Sequence, residues 1–360
     1  MGAIVGVLRA GMVHIDDAAD GSRLYNKGCS GTNQPGGGLL LDPIEALYLL
    51  TSDRLEVRDS AGRSLAMGEL LAVTGGATAG AARKEVEYLV YRELRERGFV
   101  VRVSRGTFHF LLYARGERPP RGSVSAGVLV ASERDPIDSE RLVALAATLR
   151  GAAALPAAYI AIVDEEGDVT FYNVDEPEPK GSVAPLPSPP PAVGTLLTDR
   201  VVVSEASAVE RLQAQGWYGR ALAGEVVLSL LEALYLQQEG WLSVHLPRSP
   251  RSLGRKALYE RAAARQPDLA LRLAAYRALR ERGLVIKTGF KYGTHFRGYD
   301  DDPEHCHAQY LIHVLRHDER LEWSAISRAV RLAHGVRKEM LFLRVRPRSL
   351  QWVRLRRMRP

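Results

Sequence analysis

Apolar positions along this chain fall into two periods. Short apolar runs that predict strands occur at Ala3–Leu8, Phe99–Val103, Thr107–Tyr113, Val124–Val130, Ala157–Val163 and Val169–Val174. Helical stripes lie between them. Asp42-Pro43 opens one that runs to Leu50, with Asp42 placed to cap it and Pro43 at the first helical position. Ala81–Arg97 carries Val86, Leu89, Val90 and Leu94 on one stripe and stops at Gly98. Ser139–Arg150 is a third helix, and Asp164–Gly167 turns the last two strands into a hairpin. Asp20–Gly38 is rich in Gly, Asn and Ser and predicts loop.

Residues 175–194 break the pattern. Seven of these twenty are proline, which predicts an extended polyproline-like linker rather than core. At ~3.1 Å per residue it spans up to about 60 Å, enough for two halves to lie side by side.

After the linker the pattern restarts. IEALYLL, with Glu45, Leu47 and Tyr48, returns as LEALYLQ, with Glu232, Leu234 and Tyr235, an offset of 187. YRELRERGFVV from Tyr91 returns as YRALRERGLVI from Tyr276, an offset of 185. His109-Phe-Leu-Leu-Tyr113 returns as His295-Phe-Arg-Gly-Tyr299, an offset of 186. Three blocks in one order at a nearly constant offset predict an internal duplication. The fold class expected is mixed α/β, as two tandem repeats. The first is 1–174, with lobes of about 1–80 and 81–174. After the linker, 195–265 is the N-terminal lobe of the second repeat and 266–360 its C-terminal domain.

Composition adds one asymmetry. The chain has 360 residues and a formal charge of +7. Arg320–Pro360 holds twelve Lys and Arg against Glu322 and Glu339, a net of +10, so all other residues together carry −3. A basic surface at one end predicts a polyanion partner. Six of the nine histidines also lie beyond Gly283. Two cysteines, Cys29 and Cys306, make no disulfide framework, and no apolar run is long enough for a bilayer, so a cytoplasmic protein with no membrane association is expected. The triplet His305-Cys306-His307 is poorly spaced for one tetrahedral metal site, and no metal or other cofactor is expected.

The copies differ in their polar residues. Tyr299 falls on Tyr113 and survives in both. Carrying an offset of 182 along the next strand puts His307 on Ser125, Arg331 on Leu149 and Lys338 on Pro156. The first copy therefore keeps the fold-forming residues and lacks the histidine and lysine.

GFKYGTHFRGY, HAQYLIHV and ISRAVRLAHGVRK closely resemble the catalytic domain of archaeal tRNA-splicing endonucleases, across about Leu269–Leu355. Two unequal repeats resemble the subgroup with a fused inactive half that works as a homodimer. The resemblance implies nuclease-like mixed-sheet lobes, with the second repeat catalytic, and a metal-independent tRNA-intron lyase. It implies Tyr299, His307 and Lys338 as the catalytic triad, with His305 an alternative to His307. It implies Arg331 and Arg354 as the pair that grips a flipped-out bulge base, with Arg356 an alternative to Arg354. The implied substrate is precursor tRNA with bulge–helix–bulge geometry. An acidic loop of one subunit would dock on the other: the tip Asp164, Glu165, Glu166 and Asp168, or else Glu133 and Asp135. Its positional counterpart is the basic turn around Arg346 and Arg348.

The chemistry of these residue types fits. A histidine near pKa 6.5 serves as an acid for the leaving 5′-oxygen, and a lysine stabilises a pentavalent phosphorane. A phenol near pKa 10 is a poor base at neutral pH unless cations lower it. Two other classes compete: a non-catalytic RNA-binding protein and a metal-dependent nuclease of related fold.

Overall fold

The computed structural model describes residues 4–75, 78–114, 116–151, 155–184, 191–347 and 349–360. Ala3, where the first strand was expected to start, and Arg348 lie outside them. Each repeat has an N-terminal lobe built on a five-stranded sheet and a larger mixed-sheet lobe. Among the described residues no helix is long and apolar enough to cross a membrane.

The two larger lobes share one ten-stranded sheet. Its order is Val285–Thr288, Phe296–Tyr299, Tyr310–Leu315, Glu339–Arg346, Ser349–Met358, then Val169–Asp175, Ala157–Val163, Val124–Ser132, Phe110–Tyr113 and Val101–Val103. The halves join where Val169–Asp175 pairs antiparallel with Ser349–Met358. Val174 stands opposite Leu355, both are buried, and the two positions are equivalent in the repeats. A pseudo-two-fold axis therefore passes between them. A second pairing across the axis puts Ile137 opposite Leu321.

The repeated motifs are the packing of each lobe. Tyr48, Tyr91 and Phe110 meet edge to face with centroids 5.8 and 5.7 Å apart. Tyr235 and Tyr276 do the same at 5.2 Å, and Tyr276 and Phe296 meet tilted at 6.1 Å. The helices at Pro43 and Leu230 both start with a capping box, Asp42 with Glu45 and Ser229 with Glu232. The second carboxylate oxygen of each Glu accepts a backbone N–H, from Gly31 at 3.0 Å and Gly219 at 2.8 Å. Arg102 and Lys287 come from the larger lobes and donate to carbonyls of those same turns, Gly31 in one copy and Trp217 and Gly219 in the other. One polar clamp thus fixes each N-terminal lobe to its neighbour.

His109 and His295 are also twins. Each Nδ1 accepts a backbone N–H, from Val130 at 3.1 Å and Val314 at 3.0 Å. Both are strand-locking residues.

Two sequence expectations need correction. Asp20–Gly38 is not all loop: Ala18–Gly28 is a helix capped by Asp17, and Thr32–Asn33 is an edge strand. That helix buries only Gly21 and Leu24, too few apolar positions to show a stripe. The proline-rich segment also does more than span. Gly181 donates to the Arg282 carbonyl at 2.9 Å, Val183 to Gly283 at 3.1 Å, and Ser182 to Asp300 at 2.7 Å. A Cβ on Gly181 would overlap the Gly283 carbonyl, so this crossing needs glycine on the linker side.

Burial lowers the pKa of His295 to about 4, with help from His313 and Arg272 and against Asp268. Its neutral Nδ1 is what holds Val314. Between pH ~6.5, the ordinary value, and about 4, the unfolded chain binds a proton that native His295 refuses, so this contribution is full above the window and falls with pH through it. His295→Ala should be less stable than wild type at pH 7 in a denaturant titration. The gap should narrow at pH 4.5, and an unchanged gap would refute the assignment.

Candidate active site

The three triad candidates converge on one small residue, Ala308. Tyr299 ends the strand Phe296–Tyr299 and is 7% exposed. It packs with Val285 and Ala308, edged by Val183, Trp217 and Cys306. His307 is exposed on the connection to the next strand, immediately before Ala308. Lys338 precedes the strand Glu339–Arg346, and its Nζ donates to the Ala308 carbonyl at 2.9 Å. Backbone bonds fix this meeting: Gln309 N–H to Gly298 at 3.0 Å and Glu339 N–H to Gln309 at 2.8 Å. Parallel pairing of Tyr310–Leu315 with Glu339–Arg346 sets the register.

The electrostatics are uneven. Burial pushes the Tyr299 phenol above its ordinary value, and Arg297 pulls against this. Arg297 lies two residues away on the same strand face, its guanidinium carbon 5.7 Å from the ring centroid. His305 points into an acidic turn, with Nδ1 2.8 Å from Asp302, and that carboxylate raises its pKa. Lys338 is also 6.0 Å from the Tyr292 ring. Among the described residues no group of three or more His, Cys, Asp or Glu is placed to hold a metal ion.

The two arginines differ. Arg331 is exposed on the helix Trp323–Gly335, whose buried face is Trp323, Ile326, Ser327, Val330 and Ala333. It forms no ion pair among the described residues. Arg354 is held: Nε and one terminal nitrogen donate to the two oxygens of Asp175, both at 2.8 Å, and the other donates to Glu339 at 2.8 Å. Arg356 also reaches Asp175, at 3.0 Å, and is half exposed. Asp175 ends the strand Val169–Asp175 of the other repeat, at the residue where the linker was expected to start, so this network crosses the pseudo-two-fold axis beside the residue that follows Lys338.

The acidic tip is exposed. The Asp164 carboxylate accepts the N–H groups of Glu166 and Asp168 at 3.1 and 2.9 Å. Glu165 pairs with Arg134 at 2.7 Å, and the Glu133 carboxylate accepts the Glu165 N–H. The two acidic candidates therefore form one continuous patch. Arg346 ends its strand at the basic turn.

Registers revise the comparison of copies. His109 N–H bonds Val128 where His295 N–H bonds Ile312, an offset of 184 along this strand. His307 therefore falls on Ser123, not Ser125. The helix keeps 184, with Leu142 and Ile326, then Ala146 and Val330, buried alike, so Arg331 falls on Ala147, not Leu149. Strand pairing returns the offset to 182 at Lys338, which stays on Pro156. Arg354 falls on Asn173.

Val183, Trp217, Arg297, Asp175 and Glu339 were missed as neighbours of the site. Only Arg297 had a signal, its two-residue spacing from Tyr299. Asp175→Asn should remove one charge from the Arg354 network and cost about 1–3 kcal/mol. Thermal unfolding at neutral pH checks this, and a neutral result would mean that Glu339 alone holds Arg354.

Comparison with known proteins identifies the family. The family model for the tRNA intron endonuclease catalytic C-terminal domain matches residues 85–171 and again 269–352. The model for the tRNA intron endonuclease N-terminal domain matches 4–71 and 192–259. A tRNA-splicing endonuclease of Methanococcoides burtonii is 38% identical over 329 residues, 89% of this chain and 90% of that one. The Natronomonas pharaonis protein of the same name is 37% identical over 347 residues, covering 92% and 93%. That of Halobacterium salinarum is 31% identical over 382 aligned positions, 99% of each. The duplicated lobes and both matched domains agree: this chain belongs to the tRNA intron endonuclease family.

Proposed function

We propose that this chain cleaves precursor tRNA at bulge–helix–bulge junctions, without a metal, by attack of a 2′-hydroxyl on the adjacent phosphate. The products are a 2′,3′-cyclic phosphate and a 5′-hydroxyl. The observation that carries this reading is that Tyr299 packs on Ala308, Lys338 donates to its carbonyl and His307 is the exposed residue immediately before it, with serine and proline in place of the histidine and lysine in the first repeat. Tyr299 takes the 2′-OH proton, His307 protonates the leaving oxygen, and Lys338 faces the phosphorane charge.

Tyr299 needs help in this scheme, since burial disfavours the phenolate. Arg297 supplies one cation. In-line placement of the 2′-oxygen supplies a further part of the rate. His305 is the poorer acid candidate because Asp302 already binds its ring. Arg331 is free to stack on a flipped base. Arg354 reaches a base only by exchanging Asp175 or Glu339 for it. In the same scheme two chains associate, and the acidic tip Asp164–Asp168 docks on the basic turn that includes Arg346.

Cleavage of a bulge–helix–bulge RNA should proceed in EDTA and stop when the scissile nucleotide carries a 2′-deoxy sugar. Lys338→Ala and His307→Ala should each lower the rate by roughly 10²–10⁴-fold while RNA binding persists. Full activity in both would sink the triad. Reversing the charges of Asp164, Glu165, Glu166 and Asp168 should leave the fold intact and shift the sedimentation mass from dimer to monomer at moderate salt. An unchanged mass would reject this docking.

A further inference from the structure

An open cleft of about 1030 Å³ lies between the second N-terminal lobe and the catalytic lobe. It shares a wall with the Tyr299 site, because Trp217 and Arg297 line it and also flank Tyr299. The two repeats are a control for one another here. Strand registers put Arg200 in the place of Met12 and Arg220 in the place of Thr32. The helix register, set by Tyr276 and Tyr91, puts Arg272 in the place of Glu87. The pairing of the first two catalytic-lobe strands puts Arg297 in the place of Leu111. The second repeat therefore gains Arg200, Arg220 and Arg297 around this cleft, which Glu304 also lines, while Arg272 reverses an existing pair, because its partner Asp268 stands in the place of Arg83. The clamp residues Lys287 and Arg102 are cationic in both, so folding alone does not require the added charge.

Some of these cations are already paired. Arg200 meets Asp199 at 2.9 Å and Arg272 meets Asp268 at 2.7 Å. Arg220 and Lys291 are exposed and form no ion pair among the described residues. Beside Lys291, Phe290 is 85% exposed, which is unusual for so large an apolar ring. The turn that carries both is one residue longer than its twin: Gly289 N–H bonds His295, whereas Ser104 N–H bonds His109.

Cations that track a backbone together with open aromatic faces suit unpaired nucleotides. A duplex hides its base faces, so the rings would have no use against one. We propose that this cleft takes a single-stranded segment of the RNA next to the scissile nucleotide, with phosphates on Arg220 and Lys291, a base against Trp217 in the lining, and a further base against Phe290, which lies outside the lining beside Lys291. The assignment rests on the RNA-cleaving reading of the Tyr299 site.

The test uses two bulge–helix–bulge RNAs carrying the 2′-deoxy block, one with an added eight-nucleotide single-stranded extension on the strand beside the scissile nucleotide. Their Kd values are measured by fluorescence anisotropy against wild type and the double variant Arg220→Ala/Lys291→Ala. The extension should tighten wild-type binding about tenfold or more, at ~1–3 kcal/mol per stacked base. The double variant should lose the part of that gain that phosphate contacts with Arg220 and Lys291 supply, and bind the unextended RNA as wild type does. Its salt slope on the extended RNA should fall by about 1.4, ~0.7 for each lost phosphate contact on a single strand. No gain from the extension, or a gain the double variant keeps in full, overturns the proposal. Cleavage of an unblocked, unextended RNA is scored separately. A wild-type chain that fails there refutes the Tyr299 reading, while the binding arms still report on the cleft.

Discussion

The antiparallel pairing of Val169–Asp175 with Ser349–Met358 is the constraint on which the rest of the molecule depends. Without it, each larger lobe would present a bare strand edge, with unpaired N–H and C=O groups open to any other strand. With it, ten strands form one sheet and the axis passes between Val174 and Leu355. The axis then dictates the second contact, Ile137 against Leu321. It also brings Asp175 of the first repeat onto Arg354 of the second. The first repeat therefore has a physical task that needs no chemistry. It supplies an edge, a buried face and a carboxylate. Loss of a histidine or lysine leaves all three in place, whereas loss of the strand would not.

Much of this was legible because duplication left an internal standard. The repeated tyrosines and the His–Phe pair turned out to be an aromatic ladder and a ring that accepts a strand N–H. Side chains that hold a fold must recur in both copies, and these do. What was not legible has physical causes. The helix Ala18–Gly28 buries only Gly21 and Leu24 and rests on its Asp17 cap, so it offers few apolar positions to read as a stripe. The linker docks through backbone hydrogen bonds, which side-chain composition does not report. The register error of two residues at His307 arose where the loop after Tyr113 has a different length from the loop after Tyr299. There the first copy also carries a bulge between Leu112 and Tyr113. Contacts between repeats, such as Asp175 with Arg354, join residues 179 apart and have no sequence pattern at all.

Charge is divided between the repeats in a consistent way. The second repeat concentrates cations on its C-terminal strands and around the cleft beside Tyr299, although the turn after Tyr299 is itself acidic. The first repeat holds acids where the second holds bases: Asp175 stands in the place of Arg356, and the tip Asp164–Asp168 in the place of the turn after Arg346. Asp175 faces cations across the pseudo-two-fold axis because it adjoins Val174, which lies at the axis, whereas the tip Asp164–Asp168 lies at the other end of the strand pair from the turn after Arg346. Arg354 shows the result, being bound bidentately by a carboxylate whose geometry suits a guanidinium fork.

That pairing changes how the free site should be viewed. A guanidinium satisfied by two carboxylates is neutralised in place and well ordered, at the cost of being less available to a new partner. Arg331 has no such restraint and gives up nothing when a base arrives. Under the proposed mechanism the two arginines then differ in energetic role. Arg331 contributes stacking directly. Arg354 contributes only the difference between a stacked base and the charge-assisted bonds it leaves, each worth ~1.5–3 kcal/mol. A bulge that fits the site well enough to displace Asp175 is rewarded, and one that fits poorly leaves Arg354 where it is. Selectivity for bulge geometry would thus arise from a salt bridge that the first repeat maintains, even though that repeat takes no part in breaking the phosphodiester bond.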